Sequence, residues 1–337
     1  MIKKNHYQLD ILKIRAKALQ AARSFFWARG YLEADTPLLA PSLIPEAVIT
    51  PIRLCCHYQD GTAFCSFLTP SPELWLKRLL ALGSGNIFQL GRAFRDFEPA
   101  TGIHSFEFSI LEWYTVGGDY LDNLRIQEEF VEELRQALKI GPFIRRRQIS
   151  IDLRPPYRRM TMQEAFKEYA GIELPQRLSA EFLGELARGR RLLVGAEDDA
   201  ETLFHKLFLQ EVEPKLPQDR PLILMDYPAL VPCLAKKHEG RDWLERWELY
   251  LGGVEIANCY TEERDPSRLK QFFSREEKIL KRTFLDFKTD WDFLKDTAEL
   301  PACSGNALGF DRLLMVLCEA STLSDVMLFA LSKQKHL

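Results

Sequence analysis

The chain has 337 residues, 46% of them hydrophobic and 11% aromatic, enough apolar surface for one large domain or two ordinary ones. Lys and Arg number 45 against 48 Asp and Glu, a formal net charge of −3, which excludes the global basic field that drives nonspecific nucleic-acid binding. No stretch approaches the about 18 consecutive apolar residues of a membrane span. The opening MIKK has no apolar leader core behind it, so the sequence reads as cytoplasmic.

Ile11, Ile14, Ala18, Ala22 and Phe25, joined by Leu12, Leu19 and Phe26, recur at helical spacing, and Gly30 stops the pattern. GYLEADTPLL follows, where Pro37 breaks an otherwise strand-like run and favours an edge or interface position. The seven cysteines include an odd one, and Cys55, Cys56 and Cys65, with His57 nearby, form no CxxC pair. They read as buried or incidental thiols in a reducing compartment and not as a zinc site. SPELWLKRLLALGSG predicts a helix entered through Pro72 and ended at Gly83 to Gly85.

Over 106–114, FEFSILEWY alternates so that Phe106, Phe108, Ile110, Glu112 and Tyr114 share one strand face, with Glu112 out of place among aromatics. DYLDNLRIQEEFVEELRQAL predicts an amphipathic helix, and RRRQ at 145–148 a solvated turn. TMQE at 161–164 is a capping box opening a further helix, so 150–240 reads as a mixed helical insertion between two strand-rich parts. ELYLGGVEIA, 248–257, predicts a hairpin turning at Gly252-Gly253. Leu251 then faces Val254 and Tyr250 faces Glu255, which brings Glu248 and Glu255 together on one face. The face taken by Asn258 and Glu262 stays open.

Three constellations could carry chemistry. Arg95 offers a planar donor fork for a phosphate or carboxylate, beside Phe108, Glu112 and Tyr114. Glu248 and Glu255 suit Mg²⁺, which binds through one or two carboxylates plus substrate phosphates. In CSGNALGFDRLL, 303–314, Gly305 and Gly309 let a ligand approach the backbone, and Arg312 sits in the first turn of an apolar helix, against the helix dipole. Each alone has an ordinary structural explanation: a core aromatic ladder, two exposed strand glutamates, a glycine-softened strand. Together they describe a nucleoside triphosphate pocket, and with no GxxxxGK[ST] it is not a P-loop.

In this order, GYLEADTPLL, FRDFE…HSFEFSILEWY and GNALGFDRLL resemble the three signature motifs of the class II aminoacyl-tRNA synthetases. SPELWLKRLL, RRMTMQEAFKEY, MDYPALVPCLAKKH and ELYLGGVEIAN resemble the lysyl branch. The resemblance implies an α+β fold with an antiparallel active-site sheet flanked by helices, a homodimer, and amino-acid activation with ATP and Mg²⁺. It implies that Arg95 binds the α-phosphate and substrate carboxylate, Arg312 the γ-phosphate, and that Phe108 stacks under adenine. Glu248 and Glu255 would hold Mg²⁺ and ATP, Ile256 and Gly309 would lie against the nucleotide, and Arg95, Arg312 and Glu255 would be catalytic. Ser71, Pro72 and Glu73 would take the amino group nearest the carboxylate, Glu262 and Tyr114 the distal ammonium, and Asn258 and Glu112 would orient the substrate.

The resemblance implies that Asp96, Phe97, Glu98, His104 and Ser105 join Arg95 and Phe108 in binding ATP, yet the loop from Arg95 to Ser105 departs from the family pattern. Asp96-Phe97 stand where Asn-Glu is usual, and Glu98 follows as the candidate to replace the missing glutamate. Cys259 stands where a glycine usually follows the asparagine. The motif 1 helix begins close to Met1, leaving no room for an anticodon-reading OB domain, so residues 1–337 read as one catalytic domain similar to the elongation factor P lysine ligases. Ala307 resembles those ligases, where lysyl synthetases have glycine. The implied function is activation of (R)-β-lysine or lysine and transfer to a lysine of elongation factor P, with no call for tRNA or a membrane. A truncated synthetase acting on tRNA or another acceptor, and a silent regulatory paralogue, stay open as alternatives.

Overall fold

The structure, a computed structural model, describes residues 6–282 and 286–329. The apolar spacing of the N-terminal segment forms a long helix, α1 (His6–Ala28), which buries Ala18, Ala22, Phe25 and Phe26. Leu12, grouped with that face by its spacing, is exposed, as are Leu9 and Trp27. Two short strands flank Pro37, β1 (Leu32–Glu33) and β2 (Leu39–Ala40), followed by the hairpin β3 (Arg53–His57) and β4 (Ala63–Leu68). Helix α2 (Glu73–Ala81) starts after Pro72 as expected.

The alternating segment becomes β6 (Glu107–Val116), antiparallel to β5 (Ile87–Phe94). Phe106, assigned to that strand from its alternation, lies just outside it and is 45% exposed. Helix α3 (Tyr120–Ala137) leads to a small hairpin, β7 (Phe143–Arg146) and β8 (Ile149–Asp152). The RRRQ run is therefore only half a solvated turn. Arg147 and Gln148 make the turn with positive φ, whereas Arg146 is buried on β7 and donates to the Ala320 carbonyl at 3.0 Å.

Thr161 caps α4 (Met162–Ala165) through the capping box, directly after β9 (Arg158–Thr161). α5 (Ala180–Gly189) and α6 (Ala200–Leu207) complete the helical stretch, and β10 (Leu222–Pro228) returns to the sheet. The helices expected over 150–240 are thus confined to 162–215. The segments flanking them are strands of the main sheet, with β9 and β10 side by side and parallel. β11 (Trp243–Leu251) and β12 (Val254–Thr261) form the predicted hairpin, then come α7 (Pro266–Leu280), α8 (Phe293–Asp296), β13 (Cys303–Gly309) and α9 (Phe310–Leu317).

The main sheet has eight strands in the order β1-β5-β6-β13-β12-β11-β10-β9, antiparallel except for the terminal pairs β1/β5 and β10/β9. Helices pack on one face, where Phe26, Phe88, Leu111, Trp113, Phe130, Trp247, Leu249 and Leu308 share the largest core. This is the α+β architecture with an antiparallel sheet flanked by helices. A second core joins α4, α5 and α6 to β10 and β11.

The first helix is fastened to the last one by charge. Arg15 Nη1 lies 2.5 Å from Asp311 Oδ1 and Nη2 donates to Ser109 Oγ at 2.6 Å, while the Ser109 amide donates to Asp311 Oδ2 at 2.5 Å. Asp311 is 1% exposed, so loss of Arg15 strands a buried carboxylate. Arg15→Met should lower unfolding stability by about 3–5 kcal/mol, measured by urea denaturation; a change near zero would show that α1 is held by its apolar face alone.

Candidate active site

The sheet face opposite the main core carries the site, and strand register builds it. Glu112 pairs with Ala307, Ala307 with Asn258, and Asn258 with Glu248. Two residues further along each strand, Tyr114 pairs with Gly305, Gly305 with Tyr260, and Tyr260 with Arg246. Directly paired residues of an antiparallel sheet project from the same face, and residues two apart repeat it. All of them line one cleft of about 450 Å³.

A bulge sets this alignment. Tyr250 opposes Glu255 and Leu251 opposes Val254, as the Gly252-Gly253 turn predicts, but Leu249 opposes Ala257, leaving Ile256 as an extra residue. Without it Asn258 would face away from Glu248. With it, Glu255, Asn258 and Tyr260 all reach the cleft, while the Ile256 side chain joins the opposite core. Glu248 and Glu255 are brought together as expected. Burial and then the charge of Glu248 push the Glu255 carboxyl up to about 7, against the pull of Arg312 and Arg246.

One end of the cleft is cationic. Arg95 Nε is buried without a hydrogen-bond partner among the described residues, and its guanidinium lies 5.2 Å from the centre of the Phe108 ring. Arg312 donates to the carbonyls of Ile103 at 3.1 Å and Glu255 at 3.2 Å, and its only carboxylate neighbour among the described residues is Glu255 at 4.0 Å. Two guanidiniums without a close carboxylate partner form an anion site. His104, Ser105, Glu98 and Gly309 line the same end. Burial first, then Arg312 and Arg95, hold the His104 imidazole down to about 4, so it is neutral at physiological pH.

The other end is a carboxylate cluster. Glu112 accepts from Ser71 Oγ at 3.0 Å and from the Tyr114 hydroxyl at 2.8 Å. Glu73 accepts from the Tyr260 hydroxyl at 2.9 Å. Glu262, expected to contact the substrate, is 2% exposed and lies beneath this floor without lining the cleft, and its Oε1 has no hydrogen-bond partner among the described residues. Lys77 Nζ sits between two of these groups, 2.5 Å from Glu73 and 2.6 Å from Glu262. Burial alone would lower the Lys77 pKa, but Glu262 and Glu73 outweigh it and raise it. Burial and the neighbouring Glu73 push Glu112 up to about 8, and burial pushes Glu262 up to about 8 despite Lys77.

Most of the residues singled out from the sequence converge here, with some corrections. Asp96 and Phe97 do not line the cleft: the Asp96 amide donates to the Thr50 carbonyl, and Phe97 is 81% exposed at positive φ. Pro72 acts at the start of α2, and only its neighbours Ser71 and Glu73 reach the cleft. Gly305 makes room for protein before ligand. A Cβ there would lie 2.5 Å from Tyr114 and 2.8 Å from Glu262 Oε1, so glycine is what lets both side chains cross beneath β13.

Four contributors escaped the sequence reading. Lys77 stands one helical turn after Glu73, and Arg246 stands two residues before Glu248 on a strand, so spacing alone could have placed both. Arg246 donates to Glu248 at 2.6 Å and Asn258 at 3.1 Å, holding both in line. Tyr260 was legible in the same way, two residues beyond Asn258. Glu46 lines the cleft from a loop that carried no such signal, and burial and Glu73 push it up to about 7.

The donor set fits a hard divalent cation. Among the described residues the Glu255 carboxylate has no hydrogen-bond partner, while Glu248 is oriented by Arg246, Tyr227 at 2.6 Å and Tyr250 at 3.0 Å. Among the described residues no group of three or more His, Cys, Asp or Glu side chains could hold a metal alone. Two carboxylates that need a ligand's phosphates to complete the shell are what Mg²⁺ uses.

A helix-backed antiparallel sheet bearing an anion site and a carboxylate floor on one face defines a class II synthetase catalytic fold. Residues 2–333 match the family of tRNA synthetases class II (D, K and N), and the chain belongs to that family. It is 34% identical over 306 residues to an elongation factor P–(R)-β-lysine ligase homologue of Aquifex aeolicus, covering 90% of this chain and 94% of that protein. It is 32% identical to a lysine–tRNA ligase of Pelotomaculum thermopropionicum and 32% identical to lysine–tRNA ligase 2 of Methanosarcina acetivorans. The chain spans 64% of the length of each of these two. No helix among the described residues is long and apolar enough to cross a membrane.

The raised carboxyls give the floor a pH dependence. Protonated below about pH 8 and anionic above it, Glu112 attracts a cation more strongly as pH rises. Binding of 6-aminohexanoate, which has lysine's distal ammonium but no α-amino group, should therefore tighten from about pH 7 to about pH 9 when followed by calorimetry, below the range in which that ammonium titrates. Glu112→Gln should flatten that rise, and an unchanged profile would remove Glu112 as its source.

Proposed function

We propose that this chain is an ATP-dependent, AMP-forming ligase that activates lysine, with (R)-β-lysine preferred, and transfers it to a lysine side chain of elongation factor P. The observation that carries the reading is the cleft's polarity: two guanidiniums without a close carboxylate partner at one end and a buried carboxylate floor at the other. A substrate with a carboxylate at one end and an ammonium at the other spans it in a single orientation.

In this reading Arg95 clamps the α-phosphate and the substrate carboxylate above the Phe108 ring, and Arg312 holds the γ-phosphate. Ile256, Gly309, Glu98, His104 and Ser105 shape the nucleotide side. Neutral His104 offers a hydrogen bond there without adding a third positive charge. Glu248 and Glu255 would hold Mg²⁺, which supplies charge neutralisation on the phosphates when bound. Glu73 and Ser71 take the amine nearest the carboxylate, Glu262 and Tyr114 the distal ammonium, and Asn258 and Glu112 fix the substrate's direction.

The substrate carboxylate oxygen attacks the α-phosphorus in line, an O–P bond forms, and pyrophosphate leaves. The acceptor amine then attacks the adenylate carbonyl and AMP leaves. Positioning and fixed charge supply the catalysis, with no covalent protein intermediate. The acceptor assignment is supported by the Aquifex aeolicus relative, matched over 94% of its length. A homodimer through α1 and β1 fits the exposure of Leu9, Leu12, Trp27 and Leu32 at that edge of the sheet.

The test is the intact mass of elongation factor P after incubation with this protein, Mg-ATP and either (R)-β-lysine or α-lysine, without tRNA. One aminoacyl addition, greater with β-lysine, is the expected result. No addition alongside ATP–pyrophosphate exchange would retain activation and transfer the search to tRNA or another acceptor.

Ala307 stands between Glu112 and Asn258 in the row that would orient the substrate. One methyl in such a pocket discriminates by roughly tenfold or more. Ala307→Gly should shift the kcat/KM ratio toward α-lysine by that factor, and an unchanged ratio would show that the choice is made elsewhere.

A further inference from the structure

The hairpin β3/β4 carries chemistry that the cleft does not use. Cys55 and Cys65 are direct cross-strand partners, with their sulfurs 3.7 Å apart. The Leu68 amide donates to the Ile52 carbonyl and the Tyr58 amide to the Thr62 carbonyl, which fixes the alternation of the ladder. Counting inward from either end puts Cys55/Cys65 at a non-hydrogen-bonded position, where opposed Cα atoms approach to about 4.5 Å. That lies inside the range a disulfide spans, about 4.4–6.8 Å.

The surroundings favour reaction over burial. Cys55 is exposed and Cys65 partly so, which removes the buried half of the expectation for these thiols, and β3 is an outer strand of its three-stranded sheet. Arg53, two residues before Cys55 and on the same face, donates to Cys65 Sγ at 3.3 Å. That guanidinium, with the Cys55 thiol, holds the Cys65 thiol below its ordinary value. Cys56 alternates to the other face.

We propose that Cys55 and Cys65 form a reversible dithiol/disulfide couple, oxidised by hydroperoxides, with Cys65 as the attacking thiol and Cys55 as the resolving one. The Cys65 thiolate attacks a peroxide oxygen, an S–O bond forms and the O–O bond breaks, and the leaving oxygen takes a proton. Cys55 then attacks the Cys65 sulfur, the S–S bond forms, the S–O bond breaks, and the departing hydroxide is protonated to water. The two sulfurs lose two electrons, and one hydrogen peroxide is reduced to two waters. A cross-strand disulfide at an exposed hairpin is of the readily reduced kind, so a dithiol reductant returns the pair to thiols.

The test is treatment of the reduced full-length protein with a small excess of hydrogen peroxide, alkylation of the remaining thiols, and peptide mapping without reduction. The expected result is loss of two of the seven thiols, one cross-linked peptide joining Cys55 to Cys65, and full recovery with dithiothreitol. Cys55→Ser should leave Cys65 as a sulfenic acid trapped by dimedone, and Cys65→Ser should leave Cys55 unoxidised at the same dose. Both cysteines found alkylated after peroxide, or cross-links to Cys56 or between chains in their place, would overturn the proposal.

Discussion

Strand register governs everything else in this molecule. Because side chains alternate along a strand, each position of β6, β13, β12 and β11 belongs either to the helix-packed core or to the cleft. Trp113, Leu308, Cys259 and Trp247 take the first face; Glu112, Ala307, Asn258 and Glu248 take the second. A slip of one residue in any ladder would carry a carboxylate into the core and an indole or leucine into the cleft. The cost of burying an unpaired charge forbids that exchange, so the apolar packing that stabilises the sheet also fixes the site.

The same face contains an electrostatic problem and its solution. Glu46, Glu73, Glu112 and Glu262 lie together in little water, and burial raises three of them toward neutral pH. Lys77 sits between Glu73 and Glu262. The floor is thus partly neutralised before any ligand arrives, with Glu262 Oε1 left unpartnered. Arg95 and Arg312 stand toward the opposite end, without a close carboxylate partner among the described residues, and within the cluster it is Glu46 that feels the Arg95 charge. The separation of the two ends gives the cleft a direction.

Much of this was legible in the residues. Helical periodicity located α1, α2 and α3, the alternation of FEFSILEWY located β6 and its odd glutamate, and Gly252-Gly253 located the β11/β12 turn. The three chemical constellations then supplied Arg95, Glu248, Glu255 and Arg312, all of which line the cleft. Misplacements occurred where local pattern ran past its element, as at Phe106, where a helix residue was grouped with the buried face but points outward, as at Leu12, or where a loop carried the chain, as at Asp96 and Phe97. Lys77, Tyr260 and Arg246 were within reach of spacing and were missed because neither a lysine on a helix nor a tyrosine or arginine on a strand looks unusual alone.

By itself the sequence determined the chemistry available and the faces of individual elements, since composition, period and turn residues are local quantities. It also determined that two carboxylates flank one tight turn. The tertiary structure alone decided how those faces meet. The bulge at Ile256 turned Asn258 toward Glu248, Gly305 gained its meaning from Tyr114 and Glu262 crossing beneath it, and Arg15 found Asp311 nearly three hundred residues away. Each depends on pairing between segments distant in the chain, where strand order and register, which no local pattern encodes, choose the partner.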